Sequence, residues 1–288
     1  KRFNPNVDKK TGYRTKTILC MPIKNFNQEI IGVFQVLNKF DEYFTPDDED
    51  LLIAIASSAG ISLENAQLFE RQRKLLEQKV VLDSFIETLA TSIDARDKIT
   101  SGHSSRVKMY SSLIAQEFGM EKNDLYILEK AAALHDIGKI GIRDSVLQKE
   151  GKLTPEEYKH IQQHVEITHH ILEKIHMSED FKQITEIACS HHEKFDGTGY
   201  YRHLKGEEIP FGGRILAVSD VFDAITSKRH YRDKMPIEKV IDIIKNGAGS
   251  HFDPLVVDKF LDIKLSKIVG VFITENHMVI DKEDLVTL

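Results

Sequence analysis

Two adjacent pairs of side chains, His135-Asp136 and His191-His192, have the residue types and spacing that bind metal ions. The first pair lies in an apolar stretch, so we expect it to be buried. Burying a carboxylate beside an imidazole is costly unless a partner compensates. A divalent metal compensates, since it accepts a neutral imidazole nitrogen and an ionised carboxylate together. We therefore predict a buried metal site in which Asp136 can bridge two ions, one carboxylate oxygen to each.

A second acid in an apolar setting points to the same chemistry. Asp220 lies within the segment 215–222, which is otherwise almost wholly apolar, and so needs a partner for its charge. Two further histidines lie on predicted helices, His103 at the start of one and His164 inside another. Because the chain has 13 histidines, position within the predicted elements selects these candidates.

Composition limits the classes of function. At 288 residues, with 41% hydrophobic residues, the chain is long enough for two packed domains. The net charge of −6 argues against a general nucleic-acid binder but is compatible with a small anionic ligand. The two cysteines, Cys20 and Cys189, have no CxxC spacing, so we expect a reducing, cytoplasmic environment. No apolar run approaches the length of about 18 residues that spans a bilayer, and because the chain starts at Lys1 we expect an upstream segment.

The front of the chain predicts a β-hairpin followed by a helix. Two apolar runs, 17–23 and 30–37, are separated by a polar turn at 25–28. Acidic residues at 47–50 follow Pro46, which favours a helix start because the N-terminus of a helix attracts negative charge.

This helix is expected to continue as a connector, because 61–89 contains neither Pro nor Gly. A seven-residue apolar repeat is typical of one seam of a coiled coil, so we predict a parallel dimeric connector. The companion seam is largely polar, which leaves a second interpretation open, a helix that packs on its own domain. The repeat consists of Ile61, Leu68, Leu75, Leu82 and Leu89.

The remainder of the chain predicts a mainly helical fold with short loops. A loop rich in glycine and charge is expected over 197–210, and a small hairpin within 265–288. Helices are expected at 103–118, 124–139, 155–175, 180–192, 214–227 and 236–246.

The chain from about 94 to 262 resembles an HD-GYP domain, a branch of the HD superfamily of metal-dependent phosphohydrolases. A lone His-Asp pair is a weak signal, but an ordered set of motifs over such a length is specific. The resemblance implies an HD-type helical bundle, preceded here by a partial α/β domain and a long connecting helix. The matching segments are 100–103 (TSGH), 135–139 (HDIGK), His164, 191–200 (HHEKFDGTGY), 204–210 (LKGEEIP), 214–220 (RILAVSD) and 247–254 (GAGSHFDP).

The resemblance also implies a ligand set with Asp136 as the bridging carboxylate. A site rich in imidazole suits iron or manganese better than magnesium, and we rank iron first and manganese second. Some family members bind a third metal with a Glu four residues before the first histidine; this chain has Ile99 there, so we predict two metals. The implied ligands are His103, His135, Asp136, His164, His191, His192 and Asp220.

The reaction implied by the resemblance is hydrolysis of cyclic di-GMP to the linear dinucleotide pGpG and sometimes to GMP. Asp136 and Lys139 are the expected catalytic residues, with Lys139 one helical turn after His135 and holding phosphate or assisting the leaving oxygen. Tyr200 is expected to stack on guanine. The expected substrate contacts are Lys139, Tyr200, Asp223, Arg229 and Arg232.

The family's naming triad ends in Pro, whereas this chain reads Gly199-Tyr200-Tyr201. Losing that Pro is expected to loosen the loop and to alter substrate fit or the binding of protein partners through it. Two alternatives therefore stay open. One is a catalytically weak module that binds a cyclic dinucleotide, and the other is an HD phosphohydrolase acting on another nucleotide.

Residues 1–70 resemble the C-terminal half of a GAF domain, on the spacing of Asn38-Lys39, Phe44 and Asp48-Glu49. This spacing is that of cyclic-nucleotide-type GAF domains. The alternative favoured over that specific match is that Lys39 and the acids form a structural salt bridge that caps the following helix. We expect a partial GAF sensor domain at 1–65, a helical linker at 66–93, the HD-GYP domain at 94–264 and an extension at 265–288. The expected assembly is a homodimer through the linker, with cyclic di-GMP as ligand and no nucleic-acid polymer.

Overall fold

The computed structural model describes residues 5–40, 43–96, 102–175, 179–227, 236–264 and 267–268. The chain divides into two compact units, Lys1–Val81 and Leu82–Leu288. The predicted fold class, mainly helical with a small β element at the front, is confirmed. The elements are α1 (Pro5–Thr11), β1 (Ile18–Lys24), β2 (Ile30–Leu37), α2 (Pro46–Arg96), α3 (His103–Glu117), α4 (Lys122–Leu134), α5 (Asp144–Leu147), α6 (Pro155–Glu173), α7 (Glu179–Ala188), α8 (Phe211–Thr226), α9 (Ile237–Asn246) and α10 (Pro254–Asp262), with short 3-10 helices at Ile137–Gly141 and Gly206–Glu208.

The first unit contains the predicted hairpin. Strands β1 and β2 pair antiparallel, with Ile18 opposite Leu37. Lys39, just after β2, pairs with Asp48 in the first turn of α2, and Asp48 also accepts a hydrogen bond from the backbone of Thr45. These bonds lower the pKa of Asp48 to about 2. The salt-bridge interpretation of Lys39 is therefore confirmed.

Helix α2 is continuous over its 51 residues, as the absence of Pro and Gly after position 60 predicts. Leu68 and Leu75 of the heptad repeat are exposed, whereas Ile86 and Ala90 are buried in the core of the second unit. The dimeric connector stays a prediction.

An 18-residue window of α2 has a mean hydropathy of 1.3, so length and composition would allow a membrane span, against the sequence prediction. Core helices of soluble proteins meet the same criterion.

The second unit packs its helices around two large apolar clusters, and a small third cluster consists of Val107, Ala132 and Leu216. Helix α3 packs on α4 and α8, α4 packs on α7, and the 3-10 helix at Ile137–Gly141 packs on α6. One large cluster is centred on aromatic residues such as Phe222 and Tyr110, and the other lies between the end of α2, α4 and α7.

Cys189 is buried after α7, which raises the pKa of its thiol to about 12, whereas Cys20 on β1 is exposed.

Two predicted helices are too long at their C-termini. Helix α4 ends at Leu134 instead of 139, and α7 ends at Ala188 instead of 192. After Ala188 the chain tightens into turns, with the amide of Ser190 donating to the carbonyl of Ile187 at 3.1 Å. Both histidine-containing pairs therefore lie just beyond a helix end. The predicted tail hairpin stays a prediction, because only 267–268 of 265–288 are described.

Gly138 sets the turn that follows α4. Its amide donates to the Thr168 hydroxyl at 2.9 Å, and that hydroxyl donates to the carbonyl of His135 at 3.1 Å. A Cβ at Gly138 would overlap the carbonyl oxygen of His164. The missing side chain therefore lets the 3-10 helix lie directly against α6.

We expect Gly138→Ala to lower the free energy of unfolding by about 2 kcal/mol, because backbone of α6 would have to move to admit a methyl group. Urea denaturation followed by circular dichroism measures this change. Gly32→Ala is the control, since a Cβ there would meet Ile23 at an ordinary 3.5 Å. Equal stability of the Gly138→Ala protein and the wild type would contradict this account.

Candidate metal centre

The structure brings together all seven side chains predicted to bind metal. They come from α3, the turn after α4, α6, the turn after α7, and α8. Their donor atoms form three overlapping groups in which all atoms lie within 4.8 Å of one another. These groups are His103, His135 and Asp220; His135, Asp136 and His191; and His164, His191 and His192.

Hydrogen bonds to nearby backbone fix the orientation of three of these imidazoles. The Nδ1 atoms of His135, His164 and His191 each lie 2.6–2.7 Å from the carbonyl oxygen three residues earlier. A carbonyl oxygen only accepts, so each Nδ1 carries the proton. In the neutral ring, Nε2 is then an acceptor that points into the site.

Burial keeps these rings neutral. It lowers the pKa of His164 and of His191 to about 4 and lowers the pKa of His135 and of His192 below the ordinary value. Two Nε2 atoms, those of His164 and His191, face each other at 3.3 Å. The Nε2 of His135 is buried and has no hydrogen-bond partner. The Nε2 lone pairs of these rings converge on one another, and none of the rings offers a proton there. Such an arrangement can bind a metal cation, so these residues fit a metal ion.

Asp136 lies between the two ends of the cluster. Its Oδ1 is 3.4 Å from Nε2 of His164, and its Oδ2 is 3.4 Å from Nε2 of His135. The ammonium of Lys139 lies 2.7 Å from Oδ2. Burial opposes the charge on Asp136, but Lys139 and the histidines outweigh it and hold its pKa well below the ordinary range. An ionised carboxylate with one oxygen toward each end has the arrangement of a bridging ligand.

His103 and Asp220 complete the other end, with Nε2 of His103 at 3.2 Å from Oδ1 of Asp220. Nδ1 of His103 lies 2.8 Å from Oδ2 of Asp223. Burial disfavours the charged imidazole, but the two carboxylates outweigh it and raise the pKa of His103 to about 10. His103 therefore carries a proton that a metal ion would displace.

Asp223, which the sequence predicts as a substrate contact, is buried and paired with charged side chains. Its side chain is 1% exposed, and its two oxygens accept hydrogen bonds from the Arg106 guanidinium at 2.7 and 3.0 Å. With Oδ2 also against His103, the carboxylate has little surface left for a ligand. The geometry favours Asp223 as the group that orients His103, a function the sequence did not indicate.

The other predicted substrate contacts divide into two groups. Lys139 reaches the cluster through Asp136, as predicted. The ring of Tyr200 stacks on His192, with centroids 4.7 Å apart and the planes tilted by 28°. Arg229 and Arg232, and Ile99 with them, lie outside the described residues.

Glu193 holds the loop that carries Tyr200, and sequence reasoning missed it. Its buried carboxylate accepts hydrogen bonds from the backbone amides of Arg202 at 2.7 Å and Leu204 at 3.1 Å. Burial raises the pKa of Glu193 in spite of these bonds. Its place directly after His191-His192 was the available signal. A Cβ at Gly199 would overlap the backbone of Lys194, so this loop lies flat on the histidine turn.

Comparison with known families agrees with this architecture. Residues 87–256 match the HD domain family, and residues 1–63 match the GAF domain family. The predicted resemblance to an HD domain preceded by part of a GAF domain is confirmed.

Curated relatives are phosphodiesterases of cyclic dinucleotides. A 3'3'-cGAMP-specific phosphodiesterase of Vibrio cholerae is 35% identical over 82% of this chain and 44% of its own length. A cyclic di-GMP phosphodiesterase of Thermotoga maritima is 42% identical over 65% of this chain and 51% of its own length. The chain spans about half the length of the curated relatives it matches.

A solved structure shares the fold. The crystal structure of a cyclic GMP-AMP-specific phosphodiesterase of Vibrio cholerae superposes with a TM-score of 0.50 and 19% identity. The match covers 65% of this chain and 50% of the other.

Metal uptake near pH 7 is expected to release about one proton per chain, because His103, with a pKa of about 10, must lose its proton to bind. The apparent affinity should therefore rise with pH until the pH passes that pKa. Calorimetric titration with Mn²⁺ in buffers of different ionisation enthalpy measures the protons released. Asp223→Asn, which removes one of the two carboxylates that stabilise the protonated form of His103, should release fewer protons. Uptake without proton release would contradict the assignment.

Tyr201→Pro restores the family's residue but is expected to disrupt this loop. Tyr201 has a φ of 93°, whereas a proline ring fixes φ near −65°. We expect a loss of about 1–3 kcal/mol in stability and faster amide exchange over 199–204. Tyr201→Gly, which tolerates that φ, is the matched variant and should leave the exchange pattern close to that of the wild type. Unchanged exchange in Tyr201→Pro would show that the loop admits a second conformation.

Proposed function

Because the chain belongs to the HD domain family, we propose that its second unit is a metal-dependent phosphodiesterase of cyclic dinucleotides. The observation that carries the proposal is the convergence of neutral, inward-facing imidazoles on an ionised, bridging Asp136 beside the Lys139 ammonium. Relatives named as phosphodiesterases of cyclic di-GMP and cGAMP support the enzyme class.

Two metal ions are proposed, one at each end of Asp136. One end offers His103, His135 and Asp220, and the other offers the three remaining histidines. Imidazole-rich sites favour iron or manganese over magnesium, so iron is proposed first and manganese second. Metal ions bound there supply hydroxide near neutral pH and neutralise charge on the phosphate oxygens.

The protein's own groups bind and orient the substrate. Lys139 is a compact cation beside the cluster, placed to hold a phosphate oxygen or to stabilise charge on the leaving oxygen. Tyr200 covers His192 with one face, so a guanine base would stack on the other. Arg229 and Arg232 remain proposed substrate contacts on the resemblance alone. The resemblance is also the basis for proposing that they bind phosphate or the edge of guanine.

Cyclic di-GMP is the proposed substrate, with pGpG as the product and GMP as a further product. A specific observation favours 3'3'-cGAMP as a second candidate. The relative that covers 82% of this chain carries that specificity in its name. The two substrates share phosphate chemistry and differ in one base, so the same metal centre serves both.

The wider architecture is also proposed from the sequence. The proposed bounds are a GAF sensor at 1–65, a linker at 66–93 and a catalytic domain at 94–264. The family matches cover 1–63 and 87–256, so the HD match begins within the proposed linker. A parallel homodimer is proposed through the exposed part of the α2 repeat, Ile61, Leu68 and Leu75. Leu82 and Leu89 of the same repeat are partly buried against the core of the second unit.

The test is elemental analysis of anaerobically purified protein, with hydrolysis of cyclic di-GMP and 3'3'-cGAMP by the same sample. We expect about two iron or manganese ions per chain and linear product from cyclic di-GMP. A full complement of metal with binding but no hydrolysis of either compound would identify a binding module instead.

Lys139→Ala should keep its metal and lose about 100-fold in turnover, because it removes one cationic group that acts on the phosphate. Lys245→Ala, at an exposed position near the end of α9, is the control. Turnover measured at equal metal content makes the comparison. Full activity of Lys139→Ala would remove this residue from the proposed mechanism.

A further inference from the structure

The last turn of α2 is bonded to the turn that carries Lys139. Arg96 is the final residue of this helix, and its Nη1 donates to the carbonyl oxygens of Lys139 and Ile140, both at 2.7 Å. Its Nη2 donates to the carbonyl of Ile142 at 2.6 Å and lies 2.8 Å from Oδ1 of Asp144. One guanidinium therefore binds the second half of the 3-10 helix and the residues that follow it.

The helix end is held from the other side as well. The side-chain amide of Gln148 donates to the carbonyl of Arg96 at 3.2 Å. Asp94, two residues before the end of α2, is buried and accepts hydrogen bonds from the backbone amide and the hydroxyl of Ser104, at 3.0 and 2.8 Å. Ser104 follows His103 directly. The last turn of α2 is thus bonded to segments next to both His103 and Lys139.

We propose that Arg96 is a positioning residue, whose clamp on the backbone of 139–142 sets where the Lys139 ammonium lies against Asp136. The inference rests on the proposed role of Lys139. Arg96 does not itself enter the metal cluster, since its guanidinium is committed to backbone carbonyls and Asp144. Its planar fork is suited to several acceptors at fixed spacing, which an ammonium on a flexible stem cannot match.

Amide exchange gives a direct test that does not need turnover. The amide of Ile142 donates to the carbonyl of Lys139, the same oxygen that Arg96 contacts. In Arg96→Lys, with metal loaded, the amides of 139–142 should exchange about 10-fold faster. The control is Arg73→Lys, the same change on α2, where the guanidinium is exposed and lies 2.8 Å from a Glu70 oxygen. Unchanged exchange at 139–142 in Arg96→Lys would overturn the proposal.

A double-variant comparison separates positioning from a general loss of structure. Arg96→Lys should keep its metal content and lower kcat about 10-fold with little change in KM, since a misplaced group costs rate. If Arg96 acts through Lys139, adding Arg96→Lys to Lys139→Ala should cost nothing further. Additive losses, or a parallel loss of metal, would overturn the proposal.

Phosphate binding tests the role of Arg96 even if the proposed function fails. If the wild type hydrolyses neither cyclic di-GMP nor 3'3'-cGAMP, inorganic phosphate replaces them as the probe in calorimetry of the metal-loaded protein. Arg96→Lys and Lys139→Ala should then weaken phosphate binding to a similar extent, while Arg73→Lys should not. Phosphate binding that responds to Lys139→Ala but not to Arg96→Lys would overturn the inference and leave the role of Lys139 intact.

Discussion

The metal centre depends on hydrogen bonds between ring Nδ1 atoms and backbone carbonyls. In His135, His164 and His191 the acceptor is the carbonyl three residues earlier, so the backbone of the helix on or beside which each ring lies fixes its tautomer and its direction. Burial then keeps the rings uncharged. The lone pairs of these rings lie close together, and two carboxylates stay ionised among them because Asp136 lies beside the Lys139 ammonium and Asp220 beside the protonated His103.

Much of this could be predicted from the sequence, because the residue types themselves are unusual in apolar segments. All seven proposed ligands and Lys139 lie where the motifs indicated. The ends of α4 and α7 could not be predicted, since neither Gly nor Pro occurs in the three residues after either helix. What ends α4 is a contact with a distant helix, where Gly138 meets the backbone of His164.

Residues that act through backbone atoms were also beyond sequence reasoning. Glu193 binds amides nine and eleven residues further along the chain, and Arg96 binds carbonyls more than forty residues away. Glu and Arg are residue types common at protein surfaces, so the sequence does not single these two out. Only the tertiary fold shows which backbone groups they bind. Asp223 was selected from the sequence as a substrate contact, and only the fold reveals its buried pairing with Arg106.

The two cysteines differ enough in environment to make the protein a natural target for single-site labelling. Cys189 lies two residues before His191, and a thiol that is buried with a pKa of about 12 is almost wholly unreactive as a nucleophile. Cys20 is exposed on the hairpin. A maleimide spin label or fluorophore would therefore attach to the first unit without disturbing the histidines. Distances between labels in paired chains would then report on the assembly directly, with no engineered substitution.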